Sequence, residues 1–266
     1  MKQARKPAPE AEFWKEVLSP LKDRYPGFIL IAEAYWGMES DLLDLGFDYA
    51  YDKAGYDHLR RSDMMAFKQD LSNEGVRCAR MVRFLENHDE ERMATAFPLE
   101  GRRSAAVIHA TSPGMKLFHH GQLEGLRKKA PVQLGRQPDE PVDGPFRTFY
   151  QGLLKLTGES VFRQGEWRAL PVSAAFEGDE GYRPIVAFAY SWKSARAVIA
   201  VNQGSVDASG YLLFPEGYWR DRSEIRLLDR LSEPEALYVR ERGELETRGL
   251  YVKLGPYGFH FLAASP

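Results

Sequence analysis

The segment Phe84-Leu85-Glu86-Asn87-His88-Asp89 decides how the rest of this sequence is interpreted. It begins as an apolar run and ends in three consecutive polar side chains, which can bind hydroxyl groups or transfer protons. Enzymes built on parallel strands present their catalytic groups in this way, at the point where a strand ends. The segment therefore predicts a strand that delivers functional side chains to one edge of a sheet.

A second stretch of the same kind lies upstream. Residues 28–32 read Phe-Ile-Leu-Ile-Ala, a short and fully apolar run that is typical of a buried strand. Glu33 follows this run directly, and Trp36 lies three residues later. Two strands are therefore expected to bring two acids, Glu33 and Asp89, to the same edge.

The composition indicates the class of protein that contains these two acids. The 266 residues are 44% hydrophobic and 28% charged, which is typical of one large or two medium globular domains. A net charge of -2 and scattered basic residues give no reason to expect a nucleic-acid partner. Cys78 is the only cysteine, so an intramolecular disulfide is excluded. Because the sequence has no membrane-length apolar run and no signal-peptide core at its start, we expect a cytoplasmic protein without a membrane partner.

The first part of the chain alternates short apolar runs with amphipathic stretches, as a parallel α/β architecture requires. Strands are predicted at residues 28–32, 45–51, 81–85 and 114–118, and helices at 13–25, 56–71 and 103–110. Residues 125–144 are rich in Pro, Gly and charge and are predicted as a loop, because a helical pattern resumes after them. These elements make four strand-helix units, which we assign to residues 1–164.

The remaining residues, 165–266, have a different pattern of short strands divided by turns. Runs at 184–191, 195–202, 211–214, 224–229, 250–254 and 258–262 are separated by Gly, Pro, Asn and Asp. This alternation favours an antiparallel β-sandwich of about a hundred residues.

At three places the sequence resembles the α-amylase superfamily, glycoside hydrolase family thirteen. Residues 84–89 match its Phe-x-x-Asn-His-Asp motif, residues 31–36 resemble the segment with its acid/base glutamate, and residues 113–122 resemble its eighth strand. In that family the segment with the glutamate ends the fifth strand of a (β/α)8 barrel, and the Asn-His-Asp motif ends the seventh. The third segment forms the eighth strand. The resemblance implies an α/β fold: a partial (β/α)8 TIM barrel of the last four strand-helix units, followed by an all-β antiparallel sandwich.

The resemblance also implies a function and a set of site residues. Glu33 would be the general acid/base, and Asp89 the carboxylate that stabilises the transition state. His88, Asn87 and Trp36 would bind the substrate, an α-glucan or maltooligosaccharide. The implied activity is that of a retaining glycoside hydrolase or transglycosylase acting on α-glucosidic bonds.

One residue that this activity needs has no counterpart in the sequence. A retaining glycosidase also requires a nucleophilic carboxylate, which the family carries on its fourth strand in a Gly-x-Arg-x-Asp context. Asp41, Asp44 and Asp48 lie near Glu33 in sequence but do not match that context. We therefore expect a half barrel with two open sheet edges, inactive alone.

Three explanations of such a half barrel are expected, in this order: a truncated product of a longer gene, a subunit completed by a polypeptide that supplies the N-terminal half, and a homodimer in which two halves close one barrel. The resemblance implies no cofactor. The structural calcium of the complete enzymes cannot be assigned to residues here, and no metal ligands are predicted.

Simpler interpretations and other functions stay open at this point. Glu33 alone would usually be a surface charge at a strand end, and an Asn-His-Asp run a turn or helix cap. Arg92 is interpreted as loop surface. A second functional hypothesis is a non-catalytic carbohydrate-binding or regulatory subunit, with Tyr218 and Trp219 as exposed sugar platforms. A third is a metal-dependent hydrolase with the ligands His88, Asp89, His119 and His120.

Overall fold

The computed structural model describes residues 12–73, 75–133 and 135–264. Its helices are α1 (Phe13–Arg24), α2 (Glu39–Leu45), α3 (Lys53–Arg60), α4 (Met64–Asn73), α5 (Met93–Ala96), α6 (Gly101–Thr111), α7 (Gly144–Thr157), α8 (Ser160–Arg163) and α9 (Arg242–Thr247). A 3-10 turn (Gly75–Arg80) leads into the third strand. In the part of the chain that is described, no helix is long and apolar enough to cross a membrane.

The strands form one parallel sheet and two antiparallel sheets. They are β1 (Ile31–Ala32), β2 (Tyr49–Tyr51), β3 (Met81–Arg83), β4 (Met115–Lys116), β5 (Glu166–Ala169), β6 (Val172–Ser173), β7 (Ile185–Trp192), β8 (Ala195–Asn202), β9 (Ala208–Leu212), β10 (Glu224–Asp229), β11 (Ala236–Glu241), β12 (Leu250–Leu254) and β13 (Phe259–Ala264). The parallel sheet has the order β1-β2-β3-β4, and the antiparallel sheets have the orders β11-β10-β13-β8-β7-β5 and β12-β9-β6. The predicted α/β region and the predicted antiparallel sheets are both confirmed.

The elements differ in detail from the predicted ones. β1 and β4 are each only two residues long, although the apolar runs that predicted them are longer, and each lies at an edge of the described sheet with one neighbouring strand. The helix predicted at 56–71 is two helices, α3 and α4, separated by a turn in which Ser62 has a φ of 55°. The elements that were not predicted are helices α2, α5, α8 and α9 and strands β5, β6 and β11. Residues 28, 29 and 31, all apolar, are exposed on the β1 side of the sheet.

The six-stranded sheet is the middle layer of the molecule. Along β7, Val186, Phe188 and Tyr190 pack in a core with the helices of the parallel sheet. The alternate residues, Ile185 and Ala187, pack in a second core with the three-stranded sheet. Because successive strand side chains point to opposite faces, a continuous apolar strand fits a sheet that is covered on both sides.

Tyr218 and Trp219 are not exposed, although the hypothesis of a carbohydrate-binding subunit uses them as exposed sugar platforms. Trp219 is fully buried in the core between the two antiparallel sheets, and Tyr218 is buried beside it. The Tyr218 hydroxyl donates a hydrogen bond to the Tyr190 carbonyl at 2.8 Å. Large aromatic side chains contribute to such a core through their area. The prediction that these two residues are exposed was therefore wrong.

A buried histidine links β3 to helix α6. His109 lies on α6 and is almost completely buried, and its Nε2 donates a hydrogen bond to the Arg83 carbonyl at 2.9 Å. The ring also packs edge-on against Phe118, with centroids 4.9 Å apart. Burial lowers the pKa of His109 from 6.5 to about 3. The ring is therefore uncharged in the folded protein at neutral pH.

This pKa predicts a pH dependence of stability. Below pH 6.5 the unfolded chain protonates His109 while the folded chain does not, so the free energy of unfolding falls as the pH falls from 6.5 toward 3. The contribution is about 1.4 kcal/mol per pH unit. In urea denaturation between pH 7 and pH 5, His109→Gln should lose this part of the slope, because its amide donates to the same carbonyl without titrating. His120→Gln, at an exposed position, should keep the slope; equal slopes for all three proteins would contradict the assignment.

Candidate active site at the carboxyl edge of the parallel sheet

Glu33, His88 and Asp89 meet at one edge of the parallel sheet. Glu33 follows β1, and the other two follow β3; since all four strands are parallel, their carboxyl ends share this edge. The functional atoms of the three side chains lie within 4.8 Å of one another. His88 Nε2 is 3.9 Å from Glu33 Oε1 and 3.5 Å from Asp89 Oδ2. The structure thus brings together two acids that the sequence separates by more than fifty positions.

Asn87 shapes the turn that carries His88 and Asp89. Its Oδ1 accepts hydrogen bonds from the backbone N–H groups of Asp89 at 2.9 Å and Glu90 at 2.8 Å. Its side chain is buried. This is the local backbone capping by which an asparagine stabilises a turn. The turn interpretation of Asn87 is therefore correct in local structure, and its predicted contact with substrate stays a prediction.

Tyr35 is a site residue whose contact with Glu33 was not predicted from the sequence. Its hydroxyl donates a hydrogen bond to Glu33 Oε1 at 3.3 Å. Burial raises the pKa of Tyr35 to about 12, and the negative charge of Glu33 acts in the same direction. The phenol therefore stays protonated and remains a donor to Glu33 throughout the neutral range. Its position two residues after the strand-end acid is a weak signal, because many tyrosines at such positions only pack.

Trp36 projects from the turn that follows Tyr35. Its backbone has a φ of 68°, and the next residue, Gly37, has a φ of 74°. The indole is 88% exposed. An exposed flat ring three residues after Glu33 has the shape that stacking against a sugar would use, and the predicted role of Trp36 in substrate binding stays a prediction.

A buried ion pair lies beneath the turn. Glu86 and Arg92 flank the segment that carries His88 and Asp89, and their side chains are 1% and 4% exposed. Arg92 Nη1 contacts Glu86 Oε1, and Glu86 Oε2 accepts a hydrogen bond from the Met93 backbone N–H. The interpretation of Arg92 as loop surface was therefore wrong. The signal was present in the sequence, because a glutamate within an apolar strand end requires a buried cation nearby.

The histidines of the metal hypothesis do not converge. His119 Nδ1 lies 3.2 Å from Glu86 Oε1, whereas His120 Nε2 lies 2.8 Å from Gln137 Oε1 on the neighbouring loop. Among the residues that the structure describes, the group with metal-ligand geometry is Glu33, His88 and Asp89, without either histidine. The four ligands proposed from the sequence therefore do not form one site.

Solved structures with a similar fold include two α-amylases and a debranching enzyme. A maltogenic α-amylase from Thermotoga neapolitana matches with a TM-score of 0.74 at 18% identity, over 98% of this chain and 60% of that chain. An α-amylase from Geobacillus thermoleovorans, solved with acarbose, matches with a TM-score of 0.72 at 16% identity, over 96% and 57%. The chain has an α-amylase fold. The debranching enzyme of Nostoc punctiforme matches with a TM-score of 0.66 at 14% identity, over 95% of this chain and 54% of that chain.

The similarity to known α-amylases is found by comparing structures, whereas comparing sequences finds no match. No family model matches the sequence. No curated protein matches it either. The chain spans little more than half the length of the α-amylase structures named above. At these low identities the similarity establishes the fold, while the assignment of activity depends on the site.

The buried ion pair predicts a large effect of a single substitution on stability. Arg92→Met should lower the free energy of unfolding by about 3–5 kcal/mol, because it leaves the Glu86 carboxylate buried without its cation. The matched control is Arg77→Met, which breaks an exposed ion pair with Asp44 and should cost no more than about 1 kcal/mol. Both are measured by urea denaturation. Adding Glu86→Gln to Arg92→Met should recover part of the lost free energy of unfolding. If Arg92→Met and Arg77→Met lowered this free energy equally, the importance of the buried ion pair would be refuted.

Proposed function

We propose that this chain carries the acid/base and the stabilising carboxylate of a retaining glycosidase or transglycosylase that acts on α-glucosidic bonds. The observation that carries the proposal is the convergence of Glu33, His88 and Asp89 within 4.8 Å at the strand ends of an α-amylase fold. Glu33 is the general acid/base, and Asp89 is the carboxylate that stabilises positive charge on the sugar. The substrate is an α-glucan or a maltooligosaccharide.

The chemistry accounts for these residue types. Glycosidic cleavage passes through an oxocarbenium-like state, so it needs a proton donor on the leaving oxygen and an anion near the reactive carbon. Glu33 is positioned by the Tyr35 hydroxyl, and Asp89 by the turn that Asn87 caps.

The neighbouring side chains would hold the sugar in place. His88 Nε2 lies near both carboxylates and can donate a hydrogen bond to a sugar hydroxyl between them. Trp36 offers an exposed ring against which a sugar face can stack. In this proposal His88, Asn87 and Trp36 bind substrate, and Glu33 and Asp89 act on it.

We further propose that the four strand-helix units are the second half of a (β/α)8 barrel and that the other half supplies the nucleophile. The group at the strand ends contains two carboxylates, Glu33 and Asp89, and the proposal already assigns a role to each of them. The outer sides of β1 and β4 each have an unpaired edge within the described sheet. A second polypeptide is the preferred source of that half, and a second copy of this chain is the alternative.

The test measures hydrolysis of a maltooligosaccharide by the chain alone and by the chain mixed with a polypeptide that supplies four preceding strand-helix units of a related enzyme. We expect activity only in the mixture. Glu33→Gln should lower that activity by about 100- to 10,000-fold, the usual contribution of a general acid/base. Glu16→Gln, an exposed glutamate on α1, is the matched control and should leave the activity unchanged.

Other outcomes separate the alternatives. Full activity of the Glu33→Gln mixture would remove Glu33 from the acid/base role. Saturable binding of the oligosaccharide without turnover in any mixture would favour the non-catalytic carbohydrate-binding or regulatory subunit. Activity of the chain alone would contradict the proposal that another half supplies the nucleophile.

A further inference from the structure

His119 is the exposed member of the cluster that contains the buried Glu86 and Arg92. Its side chain is 31% exposed, whereas the two charged side chains are almost completely buried. Its Nδ1 lies 3.2 Å from Glu86 Oε1 and 3.0 Å from Arg92 Nη1. The ring therefore rests on the ion pair and faces outward on its other side.

The hydrogens on Arg92 determine which nitrogen of His119 carries a proton. Nη1 has two hydrogens, and they are directed to Glu86 Oε1 and to the His120 carbonyl, 2.6 Å away. No hydrogen on Nη1 is left for His119 Nδ1. Nδ1 therefore carries its own hydrogen and donates it to Glu86 Oε1. In the neutral ring Nε2 is then an acceptor, and a carboxylate that fixes the tautomer in this way also fixes the orientation of the ring.

The placement of His119 puts this acceptor at the site edge. The residue follows β4, whose carboxyl end lies at the same edge of the sheet as those of β1 and β3. Its partner Glu86 is directly followed by the turn of Asn87, His88 and Asp89. Among the described residues, Nε2 of His119 has no hydrogen-bond partner. The neighbouring His120 is different, because its Nε2 is engaged by Gln137.

We propose that His119 is a further substrate-binding residue, whose Nε2 accepts a hydrogen bond from a hydroxyl group of the sugar bound beside Asp89. This inference rests on the proposed function. Asp89 and His119 then offer two acceptors at the same edge of the sheet to the hydroxyl groups of one glucosyl unit. Glu86 and Arg92 act as positioning residues, because they hold the ring without touching the sugar.

The experiment compares two substitutions to asparagine in the full chain. His119→Asn retains an amide donor near the position of Nδ1, so Glu86 keeps its partner, but it removes the outer nitrogen. His120→Asn is the matched control. Binding of maltotriose is measured by calorimetry, and urea denaturation verifies that both variants fold. We expect His119→Asn to weaken binding about tenfold, the effect of one lost hydrogen bond, and His120→Asn to change it less than twofold.

A series of monodeoxy maltosides distinguishes a contact with the sugar from a structural effect. The wild-type chain should bind one of these analogues about tenfold more weakly than maltose, and His119→Asn should bind that analogue and maltose equally well. An equal loss for every analogue in both proteins would overturn the inference. If Asp89→Asn weakens maltotriose binding and His119→Asn does not, only this inference fails. If the wild-type chain binds neither sugar, this inference fails, and the activity of the mixture decides the proposed function separately.

Discussion

The parallel pairing of β1 to β4 is the constraint on which the site depends. Parallel strands need crossover connections, and helices α2, α3, α4 and α6 supply them. Every strand therefore runs in the same direction, and every carboxyl end lies at the same edge. This direction brings Glu33 after β1 to within a few ångströms of His88 and Asp89 after β3. A reversed strand at either position would place its acid at the opposite edge.

The six-stranded antiparallel sheet packs against the helices that connect the parallel strands. Its inner strands β7 and β8 are buried on both faces, so the sheet shares one core with the helices of the parallel sheet. Polar contacts join the two layers: the Tyr190 hydroxyl donates to the Thr111 carbonyl at 2.7 Å, and Lys68 Nζ donates to the Ile185 carbonyl at 3.2 Å. Burial lowers the pKa of Lys68 to about 8. The helices that pack on the parallel sheet are thus also held against the six-stranded antiparallel sheet.

Two buried ion pairs fix how separate segments of the chain pack together. Arg83 on β3 pairs with Asp52 after β2, and Arg92 pairs with Glu86 beneath the site turn. A buried pair contributes little net stability, but each partner is costly to bury alone. Alternative packings that separate the partners are therefore disfavoured. Glu86 also contacts His119. The ion pair that stabilises the turn therefore also orients the His119 ring at the carboxyl edge of the sheet.

The sequence by itself determined the order of the four strands of the parallel sheet and the two strand-end acids, because apolar runs and the turn residues between them are local signals. It also contained the resemblance that pointed to the fold. It did not determine the lengths of β1 and β4, the burial of Trp219 or the role of Arg92. Only the tertiary structure decided these, together with the approach of Tyr35 to Glu33. Each depends on which distant segments pack together, and that packing is set by the whole set of contacts in the core.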